Sequence, residues 1–506
     1  MTPAAFPPSL WTHAAPPPPH HESSAPLGED LRADVVIIGG GITGLMTALQ
    51  LSDAGYRVAL VEAGAIARAN TGLSTGNLYT PVSGMAELTE RWGGEVVAQV
   101  RALRSAGIRA IERAARRLTL DCGLRRVPMQ YALEHESREL RARFERELRA
   151  YERAGLAPRA CRRGLPFAVA EGFRVEGQAQ FDPYRFCIGL ASLLSGRVRL
   201  FEMTPALEID AATGCVTTPH GRIHADHIVL ATHSPSGFNL VQAEMEAYRE
   251  YAIAVPVTAA PLPGIHWIRD SERSLRAAQG PDGSPWLVAV GGRHRTGEWT
   301  AQQDESNRLH AYARERFDVR GRGVSWSAQQ FKPADGLPYI GRSAHANVWM
   351  ATGFQADGLT WGAVAAQLIT EGIAGIDTEA ARLLSPRRLT PLKSARGWAR
   401  TNATVFKHMV GDRLARDRLS DVTQVPAGTG ALVRVDGQRR AVYRDDGGAL
   451  HVLSPICPHM KCIVQWNDAA ASWDCPCHGS RFAPTGELLE GPALQGLQPV
   501  LAGSAR

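Results

Sequence analysis

The chain is expected to fold as an α/β domain with an inserted α+β domain, followed by a small all-β domain. Three observations predict this. A glycine-rich turn joins an apolar strand to a helix near residue 40, short apolar strands alternate with helices from about 31 to 385, and short strands with turn residues surround two Cys/His loops after 422. At 506 residues the sequence exceeds a single core, so two or three domains are expected.

Residues 1–30 are proline-rich (Pro16 to Pro19, then His20-His21) and contain no Lys or Arg. Such a segment buries little, so a disordered tail is expected, with Leu10-Trp11 as the one pair able to anchor. The histidine pair reads as solvated rather than as a metal site. The sequence has no charged start followed by an apolar run, no twin arginine and no apolar stretch near twenty residues, so a soluble, cytoplasmic chain without membrane insertion is expected.

From residue 34 the sequence runs Asp-Val-Val-Ile-Ile into Gly39-x-Gly41-x-x-Gly44, then a helix, then a second strand ending on Glu62, eighteen residues past Gly44. A dinucleotide needs a tight turn, close backbone approach to its pyrophosphate, tight helix-to-strand packing and a carboxylate for ribose hydroxyls. Gly39, Gly41, Gly44 and Glu62 supply these in a Rossmann-like order. This motif alone leaves flavin and nicotinamide open. A second segment, Trp326 to Gly341 followed by Val348 to Gly353-Phe-Gln-Ala-Asp-Gly358-Leu-Thr360, opens a helix through about residue 372. It resembles the closing flavin-binding signature of the D-amino-acid-oxidase-like superfamily, in which that helix points its N-terminus at the pyrimidine edge of the isoalloxazine. A positive helix end there favours the anionic reduced ring. The resemblance implies FAD, with Gly353, Gly358 and Thr360 on its cofactor side. It also implies an amine or amino-acid substrate oxidised to an imine. Some superfamily members attach flavin through a histidine in the stretch corresponding to Ala65–Asn77; no histidine occurs here, so the FAD is expected to be non-covalent. Tyr251, His233, Trp299 and Phe354 are candidates for positions near the ring, and the catalytic residues are not legible.

Residues 134–153 mix charges along an expected helix with a solvated face. Residues 386–421 read as a linker plus docking helix. Residues 422–506 read as the β domain, with strands at Ala431–Val435 and Ala441–Tyr443 and a turn at Asp445-Asp-Gly-Gly448.

Within that domain stand Cys457-Pro-His459-Met-Lys-Cys462 and Cys475-Pro-Cys477-His478-Gly-Ser480. Each loop offers one thiolate and one imidazole, Cys457 with His459 and Cys475 with His478, while the segment between them folds back as a hairpin. Such a set can hold a [2Fe-2S] cluster with two thiolates on one iron and two imidazoles on the other, raising its potential to roughly −150 to +300 mV. A structural zinc site of two Cys and two His is the alternative, and it leaves Cys462 and Cys477 over. The run resembles a Rieske domain, which implies one [2Fe-2S] cluster per chain and a Cys462–Cys477 disulfide between the loops. It also implies a Ser480 hydroxyl donating to a cluster sulfur. High-potential relatives carry a tyrosine donor where this chain has Phe482, so a potential below the top of the range is expected. Lys461 stands where many relatives have glycine. The remaining cysteines, Cys122, Cys161, Cys187 and Cys215, have no site spacing and are expected to be reduced.

The net charge of +6 is modest, and no basic stripe with interleaved aromatics appears, so nucleic acid is not an expected partner. Together the motifs predict flavin-dependent dehydrogenation of a small amine or amino acid, with electrons leaving singly through the cluster to a soluble acceptor. Three rivals are weighed. Reduction of the flavin by a nicotinamide would need a second dinucleotide motif, and Val290-Gly-Gly-Arg-His294 lacks the spacing. A Rieske-type oxygenase would need a further mononuclear iron domain, for which the 28 residues after His478 are too few. The third is an electron-transfer or redox-sensing protein without its own substrate.

Overall fold

The computed structural model describes residues 8–14, 25–235, 237, 239–259, 262–298, 303–414, 419, 421–435 and 437–500. Among them the strands form four sheets, of eight, nine, three and four strands. The eight-stranded sheet is the α/β core. Leu31–Ile38 lies at its centre, parallel to Val58–Val61 on one side and to Gly221–Leu230 on the other, and Val348–Thr352 extends it in the same sense. Val35–Ile38, Val58–Val61, Ile228–Leu230 and Val348–Ala351 are continuous apolar runs, as strand segments covered on both faces must be, and Val35 to Ile37 are fully buried. The helices Ile42–Asp53 and Gly358–Ile373 pack together on one face. Arg199–Phe201 adds a fifth parallel strand beside Val58–Val61, and the parallel strands point their carboxyl ends at one crevice, the place where open α/β sheets bind ligands.

The nine-stranded sheet roofs that crevice. Its strands come from three stretches, 77–78, 125–180 and 245–333, so the expected inserted domain is woven in pieces between strands of the first sheet. The helix Arg138–Arg153 packed on this sheet begins at Ser137, whose hydroxyl accepts from the Leu140 amide at 3.1 Å. Its charged face is solvated, while Phe144 and Tyr151 pack inward on Tyr131 and Phe173.

Residues 8–14 depart from the expected tail. Leu10–Ala14 is a short helix with Leu10 and Trp11 buried. The Trp11 indole donates to the Ser74 carbonyl at 2.7 Å, and the Arg276 guanidinium lies over its ring. A buried tryptophan with its N–H satisfied offsets the ordering of a short segment, which composition alone does not reveal. The rest of residues 1–24 lies outside the described residues.

The helix Pro391–Leu414 joins the halves. Its Arg400 and Thr401 bind the Glu246 carboxylate of the roof, while Val405 packs in the core of the C-terminal domain. That domain holds the antiparallel strands Thr429–Val435, Gln438–Arg444 and Leu450–Leu453, beside a second sheet of Gln465–Asn467, Ser472–Asp474, Arg481–Phe482 and Leu488–Glu490. The hairpin expected between the Cys/His loops is present, with Trp466 opposite Trp473. Among the described residues no helix is long and apolar enough to cross a membrane.

Candidate functional site: a cavity shared by two domains

The crevice encloses a cavity of about 430 Å³ lined by the α/β sheet's strand ends, the roof and the C-terminal domain. At its nucleotide end Gly39 takes φ +115°, and a Cβ on Gly44 would overlap the Gly39 carbonyl oxygen, so this turn and the helix behind it require glycine at both places. The Glu62 carboxylate accepts from the backbone N–H of Gly40 at 2.7 Å and of Gly64 at 2.9 Å. Burial raises its carboxyl against those bonds. Gly39, Gly41, Glu62, Phe354, Gly358 and His233 line the cavity. Gly353 (φ +76°) ends the adjoining strand, and Thr360 is buried behind the wall with its hydroxyl unpartnered.

The helix Gly358–Ile373 opens onto the cavity without a side-chain cap. Asp357, at the capping position, gives its carboxylate instead to Arg104 at 3.0 Å, with the guanidinium fully buried and the carboxylate nearly so. Uncapped N–H groups, the glycine turn and the buried, unpartnered Oδ1 of Asn70 on the facing loop form the kind of cradle a dinucleotide fills. The loop Ala65–Asn77 forms one side of it. Asn70 Nδ2 also donates to Nδ1 of His233 at 2.8 Å, a role that needs a neutral imidazole, and burial lowers the His233 pKa against the pull of Glu490.

The roof presents side chains that the sequence did not single out. Glu250, Arg269, Arg273 and Arg293 face the cavity beside Trp267 and Gln330. The C-terminal domain supplies the remaining wall through Leu488, Leu489, Glu490, Gly491, Ala493 and Leu494. A buried ion network holds this wall in place. Arg481 donates to Glu490 at 2.7 Å and to Asp474 at 3.0 Å, and Arg249 of the roof approaches the same Glu490 oxygen at 3.7 Å. Burial opposes ionisation of Glu490, yet the two guanidiniums outweigh it and hold the carboxyl below its usual range. Tyr251 belongs to this seam rather than to the cavity lining, stacked on His294 with its hydroxyl 3.5 Å from Asn467. Trp299 lies outside the described residues.

Behind the wall sit the Cys/His loops. Cys457 and Cys475 are buried free thiols hydrogen-bonded to each other, and that hydrogen bond, with help from the His459 backbone and the Ser480 hydroxyl, lowers Cys457 to about 7 against its burial while raising Cys475. The His459 and His478 rings stand edge to face at 5.1 Å. His459 Nε2 and His478 Nδ1 are buried without partners, and burial lowers both imidazoles, His478 to about 4. Two thiols drawn toward one another and two neutral imidazoles with orphaned nitrogens are a donor set that fits a [2Fe-2S] cluster. Cys462 and Cys477 form a disulfide that ties the loops together, with Cα atoms 6.5 Å apart, and Cys475 Sγ lies within 4.8 Å of their sulfurs. Lys461 has φ +59°, the backbone conformation that glycine adopts freely. Both loops dock on the first domain: Gly479 accepts from Gln329 Nε2 at 2.8 Å, and His459 meets the Gly237 backbone. Of the other cysteines, Cys122, Cys161, Cys187 and Cys215 are free, with burial raising Cys122 to about 11.

The pattern of the family described as FAD dependent oxidoreductase matches residues 34–372, and that of the Rieske [2Fe-2S] domain matches residues 417–500. The chain belongs to the FAD-dependent oxidoreductase family and carries a C-terminal Rieske domain, with FAD and a [2Fe-2S] cluster as cofactors. It is 28% identical over 484 residues to the Bacillus subtilis (strain 168) protein YhfW, named for a Rieske 2Fe-2S iron-sulfur centre, covering 94% of each chain. Its Rieske portion is 37% identical over 70 residues to the cytochrome b6-f complex iron-sulfur subunit of Chlorobaculum tepidum, covering 14% of this chain and 38% of that one. The fold is shared with glycine oxidase from Geobacillus kaustophilus (TM-score 0.58, 18% identity, 71% of this chain and 100% of that one). It is shared also with L-proline dehydrogenase from P. horikoshii (TM-score 0.57, 16% identity, 72% and 98%).

Proposed function

We propose that the chain dehydrogenates a small amine or amino acid in the shared cavity and passes the electrons through its Rieske domain to an external one-electron acceptor. The observation that carries this reading is the common wall: residues 488–494 of the cluster domain line the same cavity as the glycine turn. When bound, FAD supplies hydride acceptance and the cluster supplies transfer of one electron at a time. The protein's own part is to hold the two sites together and keep water out. In this reading Gly39, Gly41, Gly44, Glu62, Gly353, Gly358 and Thr360 form the non-covalent FAD site. Cys457 and Cys475 hold one iron, and His459 and His478 the other. The Cys462–Cys477 disulfide occupies the two thiols that a zinc reading leaves over. Arg269, Arg273 and Arg293 offer guanidiniums for a substrate carboxylate, which favours an amino acid or similar amine acid.

Anaerobic addition of an amine and amino-acid panel to the holoprotein, followed in the flavin visible band, tests the reading. Bleaching by amines with a paramagnetic cluster signal supports it. Bleaching by NADH alone would reverse the direction of flow. Bleaching by neither would leave an electron-transfer or sensing protein, a reading that gives the arginine-lined roof no task.

A further inference from the structure

The roof contains a built irregularity at the cavity. Strands Met245–Pro256 and Pro285–Arg295 pair in register at Arg249 with His294 and again at Tyr251 with Gly291. Between these pairs Glu250 on one strand is opposed by two residues, Gly292 and Arg293, on the other. This is a β-bulge, with Gly292 at φ +67°, and bulges re-aim side chains beside active sites. Here both Glu250 and Arg293 face the cavity.

Glu250 sits there as a half-buried carboxylate, with Ala252, Val290 and Ala328 among its apolar neighbours in the lining and Arg269, Arg293 and Glu272 among its charged ones. It is hydrogen-bonded to the Gln330 side chain, and among the described residues it is in no salt bridge. The Arg293 guanidinium lies instead over the Tyr248 ring at 5.4 Å, and that of Arg269 over Tyr131 and Trp267, each at 5.9 Å. Four groups on the neighbouring elements act on Glu250. Burial raises its carboxyl most, Glu272 adds to this, and Arg293, Arg269 and Gln330 oppose it. A carboxylate that is costly to keep ionised and faces an enclosed cavity is suited to receive a proton.

We propose that Glu250 binds the ammonium group of the substrate and takes one of its protons, so that the cavity selects cationic amines and converts them to the neutral form; this rests on the amine-dehydrogenase reading above. In this step one N–H bond of the ammonium breaks and one O–H bond forms on Glu250. The carboxylate becomes neutral, the amine becomes neutral, and no electron is gained or lost. The freed nitrogen lone pair is what departure of the neighbouring Cα hydride requires.

The test compares two non-oxidised probe binders in holoprotein under anaerobic conditions: methoxyacetate, an anion without an ammonium, and tert-butylamine, a cation at neutral pH with no hydrogen on the carbon beside nitrogen, each read from the shift of the flavin band. Glu250→Gln is expected to weaken tert-butylamine at least tenfold and to leave methoxyacetate unchanged or tighter, with Glu250→Asp recovering part of the loss. In the unsubstituted protein tert-butylamine affinity should fall as pH drops through the Glu250 pKa, and this limb should be missing in Glu250→Gln. Retained flavin and iron content and an unchanged or higher melting temperature identify a folded variant. Equal weakening of both probes, an unaltered pH limb, or no tert-butylamine binding by the unsubstituted protein overturns the proposal. If amines still bleach the unsubstituted flavin in that case, the proposed function stands and only the role of Glu250 falls. If none does, the function fails separately.

Discussion

The two ends of the cavity are built from different materials. The nucleotide end is backbone: a glycine turn, an uncapped helix start and a carboxylate that binds its own chain's N–H groups. The cluster end is side chains: Arg249, Glu490, Arg481 and Asp474, brought together from two domains and buried as a charged network. A backbone site is specified by a few neighbouring residues and tolerates change elsewhere. A buried ionic seam is sensitive at every member, because removing one partner leaves the others charged and dry.

The largest effects should separate the ends completely. Gly44→Ala places a Cβ on the Gly39 carbonyl, so purified protein should lose its flavin absorbance while keeping iron. Cys475→Ser should do the reverse, with iron content and the paramagnetic signal on reduction falling to background and the FAD retained. Loss of both cofactors in either variant would show that the halves do not fold independently around their sites.

Next in size is the seam. Glu490→Gln leaves Arg249 and Arg481 facing each other without the carboxylate and should cost about 3 to 5 kcal/mol, seen as a lower unfolding midpoint. Slower reduction of the cluster by pre-reduced flavin should accompany it. An unchanged midpoint would mean the seam is solvated and the shared wall is loosely held.

The same network sets an acid limit. The Glu490 carboxyl is held below its ordinary 4.5, so its contribution is fully present above that value and is lost as pH falls through the lowered folded pKa. The melting temperature should therefore decline below about pH 4.5, and Glu490→Gln should flatten that limb. A limb of equal steepness in the variant would assign the acid sensitivity to other carboxylates.

The contrast between the ends also explains what could be read from the sequence. Gly39 to Gly44, Glu62 and the two Cys/His loops are short-range patterns, and the strand, turn, helix and hairpin around them follow from residues a few positions apart. The Glu250–Arg293 bulge depends on the register of two strands separated by some thirty residues. Arg249 and Glu490 meet across 241 positions, and Trp11 reaches Ser74 across 63. One local hint was present in Tyr248-Arg-Glu-Tyr251, adjacent opposite charges entering the apolar run Ala252 to Val255, which marks a strand with something to aim. Val290-Gly-Gly-Arg-His294, unsuited to a dinucleotide, is the partner side of that same bulge.

The smallest expected effect sharpens the cluster end alone. Phe482 is fully buried in the strand that follows the second loop, and Ser480, whose hydroxyl accepts from Ala493 at 3.1 Å, also hydrogen-bonds to Cys457. One donor to sulfur is therefore in place, and Phe482→Tyr would add a second if its hydroxyl reaches the cluster. Hydrogen bonds to sulfur stabilise the more negative, reduced state, so the midpoint potential should rise, measured by redox titration of the paramagnetic signal, with FAD content and the unfolding midpoint little changed. A potential that stays put would place the new hydroxyl away from sulfur and assign the tuning to Ser480 and the docked face of His459.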